Sequence, residues 1–133
     1  MSSPKTRVII ASAFALCCTF LLLPGRPVSS FSPRPKIKIG AVLSLSGPAK
    51  LWGEDAKNGI LLAQDEINAA GDIELEVIPL DCKADSDEAA KALGRLITDH
   101  EIQVVIGDVT SSCVLEMMLI ANQKKIVLIT PGA

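Results

Sequence analysis

The stretch "IKIGAVLSLSGPAKLWGEDAKNGILLAQDEINAAG", residues 37–71, sets the expected fold of this chain. Its near-continuous apolar start predicts a strand at about 37–43 that is buried on both faces of a sheet. From Glu54 onward, apolar residues recur at spacings of three and four, which predicts an amphipathic helix. Gly71 can end that helix as a C-terminal cap. A buried strand followed by a long helix is the repeating unit of α/β proteins.

The rest of the chain repeats this unit. Strands are predicted at 73–80, 102–107 and 125–130, and helices at 85–100 and 111–123. The second helix has a capping residue in Asp85 and an acid three positions later in Glu88. The alternation predicts an α/β fold, a parallel sheet with helices on both faces. Because ligands bind such sheets outside the carboxyl ends of the strands, function is expected in the loops that follow the strands.

The first thirty residues have the parts of a secretory signal peptide. Lys5 and Arg7 precede an apolar run at 8–23, a Pro-Gly pair breaks it, and small residues follow up to Ser30. The run is shorter than the ~20 apolar residues of a membrane span. We therefore predict a signal peptide at 1–30 and a lead-in at 31–36, with an uncleaved membrane anchor as the alternative. Export implies a periplasmic or extracellular location.

Charge and motifs exclude several classes of function. Three of the 13 Lys and Arg residues lie in the predicted signal peptide and none of the 15 Asp and Glu residues does, which leaves a net charge of about −5. There is no basic cluster and few aromatic residues, so we predict no nucleic-acid binding. The first turn lacks both the GxGxxG and the GK[ST] phosphate-binding patterns. His100 is the only histidine, so neither a Ser-His-Asp triad nor a histidine-based metal site can form.

The acidic residues give no sign of catalysis either, because the neighbouring pairs at 65–66 and 87–88 project in different directions from their helices. We therefore expect no enzyme activity, no cofactor and no metal. Two features of the first loop remain candidates. Ser44 and Ser46 suit polar contacts with a ligand, but Ser-Gly-Pro is also common turn chemistry. Trp52, predicted in a loop, is either a lid on the apolar core or a flat wall for a ligand.

Three consecutive hydroxyl residues precede the third helix: Thr110, Ser111 and Ser112. The first four N–H groups of a helix have no internal partner, and the helix dipole adds positive charge there. An amino-acid carboxylate or a phosphate would fit such a site. The alternative is that one hydroxyl merely caps the helix, which is worth about 1 kcal/mol. Three hydroxyls at the ligand edge favour binding.

Two cysteines lie outside the predicted signal peptide, at Cys82 and Cys113. In an exported protein such a pair can form a disulfide, since the compartment is oxidising. The alternative is two free buried thiols, because the sequence does not give the Cα separation that a disulfide requires.

Residues 36–133 resemble type I periplasmic binding proteins, and most of all the leucine/isoleucine/valine-binding proteins of branched-chain amino-acid ABC transporters. The first segment carries that family's SG-P, WG, NG and IN-x-x-G pattern. "DCKADSDEAAKALGRLI" is similar to its D-x-K-x-D-P-x-x-A segment, with Ser86 in place of the usual proline. "VVIGDVTSSCVLEM" is similar to its I-G-x-x-x-S-S segment, and "IVLITPGA" to a strand that ends in [ST]-P-[GSA]-A.

The resemblance implies a hinged, two-lobed receptor that captures an amino acid or a small amide for an ABC importer, with a permease in the inner membrane as partner. It places Trp52 against the ligand, Ser111 on its α-carboxylate, and the backbone of Ala133 on the bound amino acid. Ser112 is a weaker candidate. Family members with a disulfide place its halves near Ala84 and Thr110. The cysteines of this chain are displaced from those positions.

The family's members are about three times as long as this chain. The resemblance therefore implies that residues 37–133 form part of a Rossmann-like first lobe without the second lobe, as in an N-terminal fragment. An alternative from the same resemblance is the extracellular ligand-sensing domain of a receptor, or an amide-responsive regulator.

Overall fold

The computed structural model describes residues 33–132, so the predicted signal peptide and Ala133 lie outside it. All seven predicted elements are present, in the predicted order. The strands are β1 (Lys36–Leu43), β2 (Glu74–Asp81), β3 (Val104–Ile106) and β4 (Val127–Ile129), and the helices are α1 (Lys50–Ala70), α2 (Ser86–His100) and α3 (Ser111–Lys124).

The four strands form one parallel sheet in the order β2-β1-β3-β4. The chain moves from β1 to one side to form β2, and then crosses to the other side of β1 to form β3. The direction of winding thus reverses between β1 and β3. This reversal makes the crevice at their carboxyl ends the expected ligand position in such a sheet.

Alternate residues of the strands face helices on opposite sides of the sheet, as the pleat requires. Val42 and Val105 are fully buried in a core with α2 and α3 that contains Leu93, Leu96 and Met117. Neighbouring strand residues face α1 instead and line an apolar pocket with it: Ile39, Leu75, Val77 and Ile106. The predicted parallel sheet covered on both faces is therefore confirmed.

Local sequence signals set several of the helix ends. The Asp85 carboxylate accepts a hydrogen bond from the Glu88 N–H at 2.9 Å, which confirms the predicted cap of α2. Helix α1 ends at Gly71, whose φ of 87° lies in the left-handed region that glycine adopts without strain.

The predicted start of α1 is wrong. The helix begins at Lys50, four residues before Glu54, because the turn folds directly into it. The Lys50 N–H donates to the Gly47 carbonyl at 3.3 Å, and the Gly53 N–H donates to the Ala49 carbonyl at 3.1 Å. Trp52 consequently lies in the first helical turn and not in a loop. Among the described residues, no helix is both long enough and apolar enough to cross a membrane.

Strand β2 forms one edge of the sheet, and two side chains of α1 pair with its outward backbone groups. The Leu75 N–H donates to Asn68 Oδ1 at 2.7 Å, while the Asn68 amide donates to the Leu75 carbonyl at 2.9 Å. The Val77 N–H donates to Gln64 Oε1 at 2.7 Å. These bonds satisfy groups that would otherwise invite pairing with another chain.

Candidate functional site

A pocket of about 500 Å³ opens at the carboxyl edge of the sheet. It is lined by Trp52, Asp55 and Ala56 of α1, by Val109 and Thr110 after β3, and by Pro131 after β4. Three sequence-distant segments therefore meet where the topology of the sheet predicts a ligand. The walls are mostly apolar, with the Thr110 hydroxyl and the Asp55 carboxylate as polar groups, which suits a small molecule that has polar and apolar ends.

Trp52 is 62% exposed and faces this pocket from the first turn of α1. Of the two alternatives that the sequence leaves open, a lid on the apolar core is therefore wrong, because a core lid is buried. An exposed indole at the mouth of a pocket offers a flat apolar surface to a ligand.

The start of α3 has no side-chain cap. Thr110 occupies the N-cap position, but its hydroxyl donates to the Asp108 carboxylate and makes no capping bond. No acidic residue lies in the first turn of α3, and the side chains of Ser111 and Ser112 are both exposed. The simple capping alternative for these hydroxyls is therefore wrong. The first-turn N–H groups point out of the helix end without an internal helical partner.

Ser111 and Ser112 do not line the pocket. Ser111 directly follows Thr110, which does line it. Ala133 lies outside the described residues, and its neighbours Pro131 and Gly132 are exposed at the same edge.

Ser44 does not face the cleft as the sequence analysis expects. It is fully buried, and both of its hydrogen-bond donors pair with the Asp108 carboxylate. The Ser44 N–H donates to Asp108 Oδ1 at 2.8 Å, and its hydroxyl donates to Asp108 Oδ2 at 2.7 Å. Ser46 is half-buried, and its hydroxyl donates to Asp81 Oδ2 at 2.6 Å. Both serines hold the loop in place.

Two aspartates that the sequence reasoning missed, Asp81 and Asp108, position the loops of the candidate site. Asp81 ends β2 and accepts further bonds from the N–H groups of Leu45, Ser46 and Lys83. Burial raises the pKa of Asp81, but these hydrogen bonds outweigh it and hold the pKa below its ordinary value. Burial likewise raises the pKa of Asp108, but the hydrogen bonds from Thr110 and Ser44 outweigh this effect and lower the pKa below its ordinary value. The available signal was an aspartate at the carboxyl end of β2 and another two residues after β3.

The two cysteines are free thiols in the structure, and both are buried. This corresponds to the second alternative of the sequence analysis, since no disulfide joins them. Their sulfur atoms lie within 4.8 Å of each other and of an Asp108 oxygen. Burial raises the pKa of the Cys82 thiol to about 12, and its Sγ lies 3.5 Å from the Ser44 hydroxyl.

A second pocket, of about 380 Å³, lies between α1 and the sheet. Its lining is apolar apart from Gln64, whose carbonyl oxygen already accepts from Val77. That lining holds no charged side chain, so we assign the candidate site to the first pocket.

Comparison with known proteins identifies the family. Residues 36–133 match the family model described as "Periplasmic binding protein". The chain belongs to the periplasmic binding protein family. More narrowly, its relatives and its structural neighbours place it among type I periplasmic binding proteins of the leucine/isoleucine/valine-binding kind, as the sequence resemblance predicts.

This periplasmic binding protein chain is similar to two curated proteins over most of its own length. It is 32% identical to the Leu/Ile/Val-binding protein BraC3 of Rhizobium johnstonii over 100 residues, which cover 73% of this chain and 27% of that protein. It is 32% identical to the leucine-specific-binding protein of Salmonella typhimurium over 132 residues, which cover 97% and 33%. The chain therefore spans about a third or less of these relatives.

Solved structures of leucine- and isoleucine-binding proteins are also similar to this chain. The LivJ substrate-binding protein of Streptococcus pneumoniae, in complex with isoleucine, superposes with a TM-score of 0.71 at 35% identity, over 74% of this chain and 29% of that one. The leucine-binding protein LivK of Thermotoga maritima gives 0.67 at 31% identity, over 72% and 27%. These neighbours confirm the predicted α/β fold. They and the curated relatives are binding proteins, not enzymes.

Proposed function

We propose that this chain supplies one wall of the ligand cleft in the substrate-binding protein of an ABC importer. The proposed ligand is an amino acid of the branched-chain type, or a small amide. The observation that carries the proposal is the uncapped start of α3 next to Trp52, at the reversal point of the sheet. The printed names of the relatives, which bind leucine, isoleucine or valine, support this ligand class.

In this proposal, the first-turn N–H groups of α3 and the exposed Ser111 hydroxyl bind the α-carboxylate. A helix start is suited to that role, because its N–H groups and its dipole both favour an anion. The Trp52 ring packs against the aliphatic side chain, and the backbone at Ala133, two residues after the pocket residue Pro131 in the sequence, contacts the amino acid. Ser112 lies in the same exposed turn as a secondary contact. No bond of the ligand is made or broken.

A pocket with one wall leaves much of a ligand in water, whereas functional sites bury about 70–90% of it. We propose that the opposite wall comes from a second lobe, as the length of the relatives suggests. The signal peptide at 1–30 would deliver the protein to the periplasm, and the loaded protein would dock on an inner-membrane permease.

Calorimetry on two proteins tests this function. The chain by itself is expected to show no micromolar binding of leucine, isoleucine or valine. A chimera, in which residues 36–133 replace the matching segment of the leucine-specific-binding protein of Salmonella typhimurium, is expected to bind leucine. In that chimera, Ser111→Ala and Trp52→Ala should each lower affinity at least about tenfold, the effect of one lost bond to a charged group or one lost apolar contact.

Thr98→Ala is the matched control, because Thr98 is exposed near the C-terminal end of α2, at the opposite edge of the sheet. It should leave affinity unchanged. Micromolar binding by the chain alone would refute the requirement for a second wall. A folded chimera that binds none of the three amino acids, or that is indifferent to Ser111→Ala, would refute the site.

A further inference from the structure

The cluster of Cys82, Cys113 and Asp108 lies just beneath the carboxyl edge of the sheet, and its three side chains come from separate segments. Cys82 follows β2, Asp108 follows β3, and Cys113 lies in the first turn of α3. All three are fully buried. Each offers one ligand atom, and these three atoms lie within 4.8 Å of one another. We propose that these three residues form a binding site for a thiophilic divalent metal ion, with Zn²⁺ as the expected occupant.

The donor set fits zinc. Zinc binding would release the two thiol protons to solvent, and the resulting pair of thiolates with one carboxylate oxygen makes three protein ligands of the types that zinc accepts. Soft sulfur ligands disfavour Mg²⁺ and Ca²⁺. Zinc binds sulfur at about 2.3 Å and oxygen at about 2.0–2.2 Å, so its ligand atoms lie about 3.3–3.8 Å apart. The observed limit of 4.8 Å requires a contraction of only about 1 Å to reach that spacing.

A fourth position is also near. The Ser44 hydroxyl lies 3.5 Å from the Cys82 sulfur and 2.7 Å from Asp108 Oδ2. A hydroxyl can rotate, so its oxygen can face a cation that replaces its hydrogen bond to the carboxylate. Zinc sites with three protein ligands leave the fourth position to such an oxygen or to water.

The charge of the cluster supplies an independent argument. Asp108 accepts bonds from a backbone N–H and two hydroxyls, the pattern of an ionised carboxylate. Among residues 33–132, none of the Lys, Arg and His ion pairs involves it. A buried charge without a counter-charge is costly. Three hydrogen bonds stabilise the Asp108 charge, and a metal ion between the carboxylate and the two sulfurs would add the positive charge that no neighbouring side chain among the described residues supplies.

A disulfide is the competing fate of two close thiols. It would join the sulfurs but leave the Asp108 charge as it is, and it would make no use of the third ligand. The metal site accounts for all three residues. It revises the sequence-based expectation of no metal, which considered only histidine ligands.

The test uses the full chain, purified anaerobically without added reductant after expression with added zinc, so that an existing disulfide would persist. Elemental analysis should find about one zinc per chain. Replacement by Co²⁺ should give the near-ultraviolet thiolate-to-cobalt band and the visible bands of tetrahedral cobalt. Cys82→Ser and Cys113→Ser should each abolish the tight site, and Asp108→Asn should weaken it. Because Cys17 and Cys18 are also present, the double variant Cys17→Ser/Cys18→Ser is the matched control, and it should keep the metal.

Three results would overturn the proposal. One is a chain without bound metal whose thiols are free. Another is a metal-free chain lighter by two hydrogen atoms, which identifies a disulfide. The third is metal that disappears with Cys17 and Cys18. If a cysteine variant fails to fold by circular dichroism, the cobalt spectrum of the unaltered chain still decides, because it reports thiolate ligands directly.

Discussion

Gly53 of α1 lies against the backbone of Ser44, directly after β1, and its replacement by alanine gives a sharp prediction. A Cβ at Gly53 would lie 2.0 Å from the carbonyl oxygen of Ser44 and 2.6 Å from its carbonyl carbon. Because both are backbone atoms, no side-chain rotation can relieve the clash. Two hydrogen bonds to Asp108 also hold Ser44 in place.

The magnitude follows from opposing effects. Alanine favours a helix over glycine by about 1 kcal/mol. Against this, α1 and the β1 end must separate by about 1 Å to restore an ordinary contact, and overpacking of this kind costs about 1–3 kcal/mol. Displacing Ser44 also weakens its hydrogen bonds to Asp108, each worth about 1.5 kcal/mol. We expect a net loss of about 3 kcal/mol, or roughly 12–24 °C in melting temperature at about 4–8 °C per kcal/mol.

Gly59→Ala is the matched control on the same helix, because no atom lies within 4 Å of the added methyl group. It should stabilise the protein by about 0.5–1 kcal/mol. Urea titration followed by circular dichroism measures both variants. If Gly53→Ala were as stable as the unaltered chain while Gly59→Ala gained stability, the close approach at Ser44 would be refuted.

Three further predictions concern the edge of the sheet, pH and export. Asn68→Ala should cost about 1–2 kcal/mol in urea titrations and increase aggregation in light scattering, because it frees both backbone groups of Leu75 at the β2 edge; Asn58→Ala, at an exposed position of α1, should do neither. Because the folded pKa of Asp81 is lowered, its stabilisation is fully present above its unfolded pKa of about 4 and is lost as pH falls through the folded value. Urea titrations at falling pH should therefore show Asp81→Asn approaching the unaltered chain in stability, and a constant gap would contradict this. N-terminal sequencing of the exported protein should begin at Phe31, whereas an intact N-terminus would favour an anchor.

Most of the fold could be predicted from the sequence because the signals are local. Gly71 ends α1, Asp85 caps α2, and apolar runs mark the four strands. The start of α1 could not, because no capping side chain precedes it: Ala49 occupies the N-cap position and makes no side-chain bond. The helix begins with backbone hydrogen bonds that continue from the turn at Gly47, and the amino-acid sequence gives no signal for those bonds.

The candidate site could be assigned from the sequence to segments of the chain but not to individual side chains. The alternation of strands and helices located the edge, and the hydroxyls after β3 located the start of α3. What the sequence could not show is which polar group partners which. Asp108 and Ser44 are 64 residues apart in the sequence. The sequence pattern around a loop hydroxyl is the same whether the hydroxyl faces a ligand or a buried carboxylate. That pairing exists only once β1 and β3 are neighbours.

The pairing also explains why the proposed carboxylate site depends on backbone donors. Asp81 and Asp108 stand at the ends of the two strands that flank the first loop and the third helix, and together they bind the donors of Ser44, Ser46 and Thr110. The hydroxyls nearest the sheet are thereby used to fix the loops. What remains for a ligand is the helix start, with its N–H groups and the exposed Ser111. Because those N–H directions are set by the helix and need no side-chain ordering, a carboxylate would find its donors already aligned.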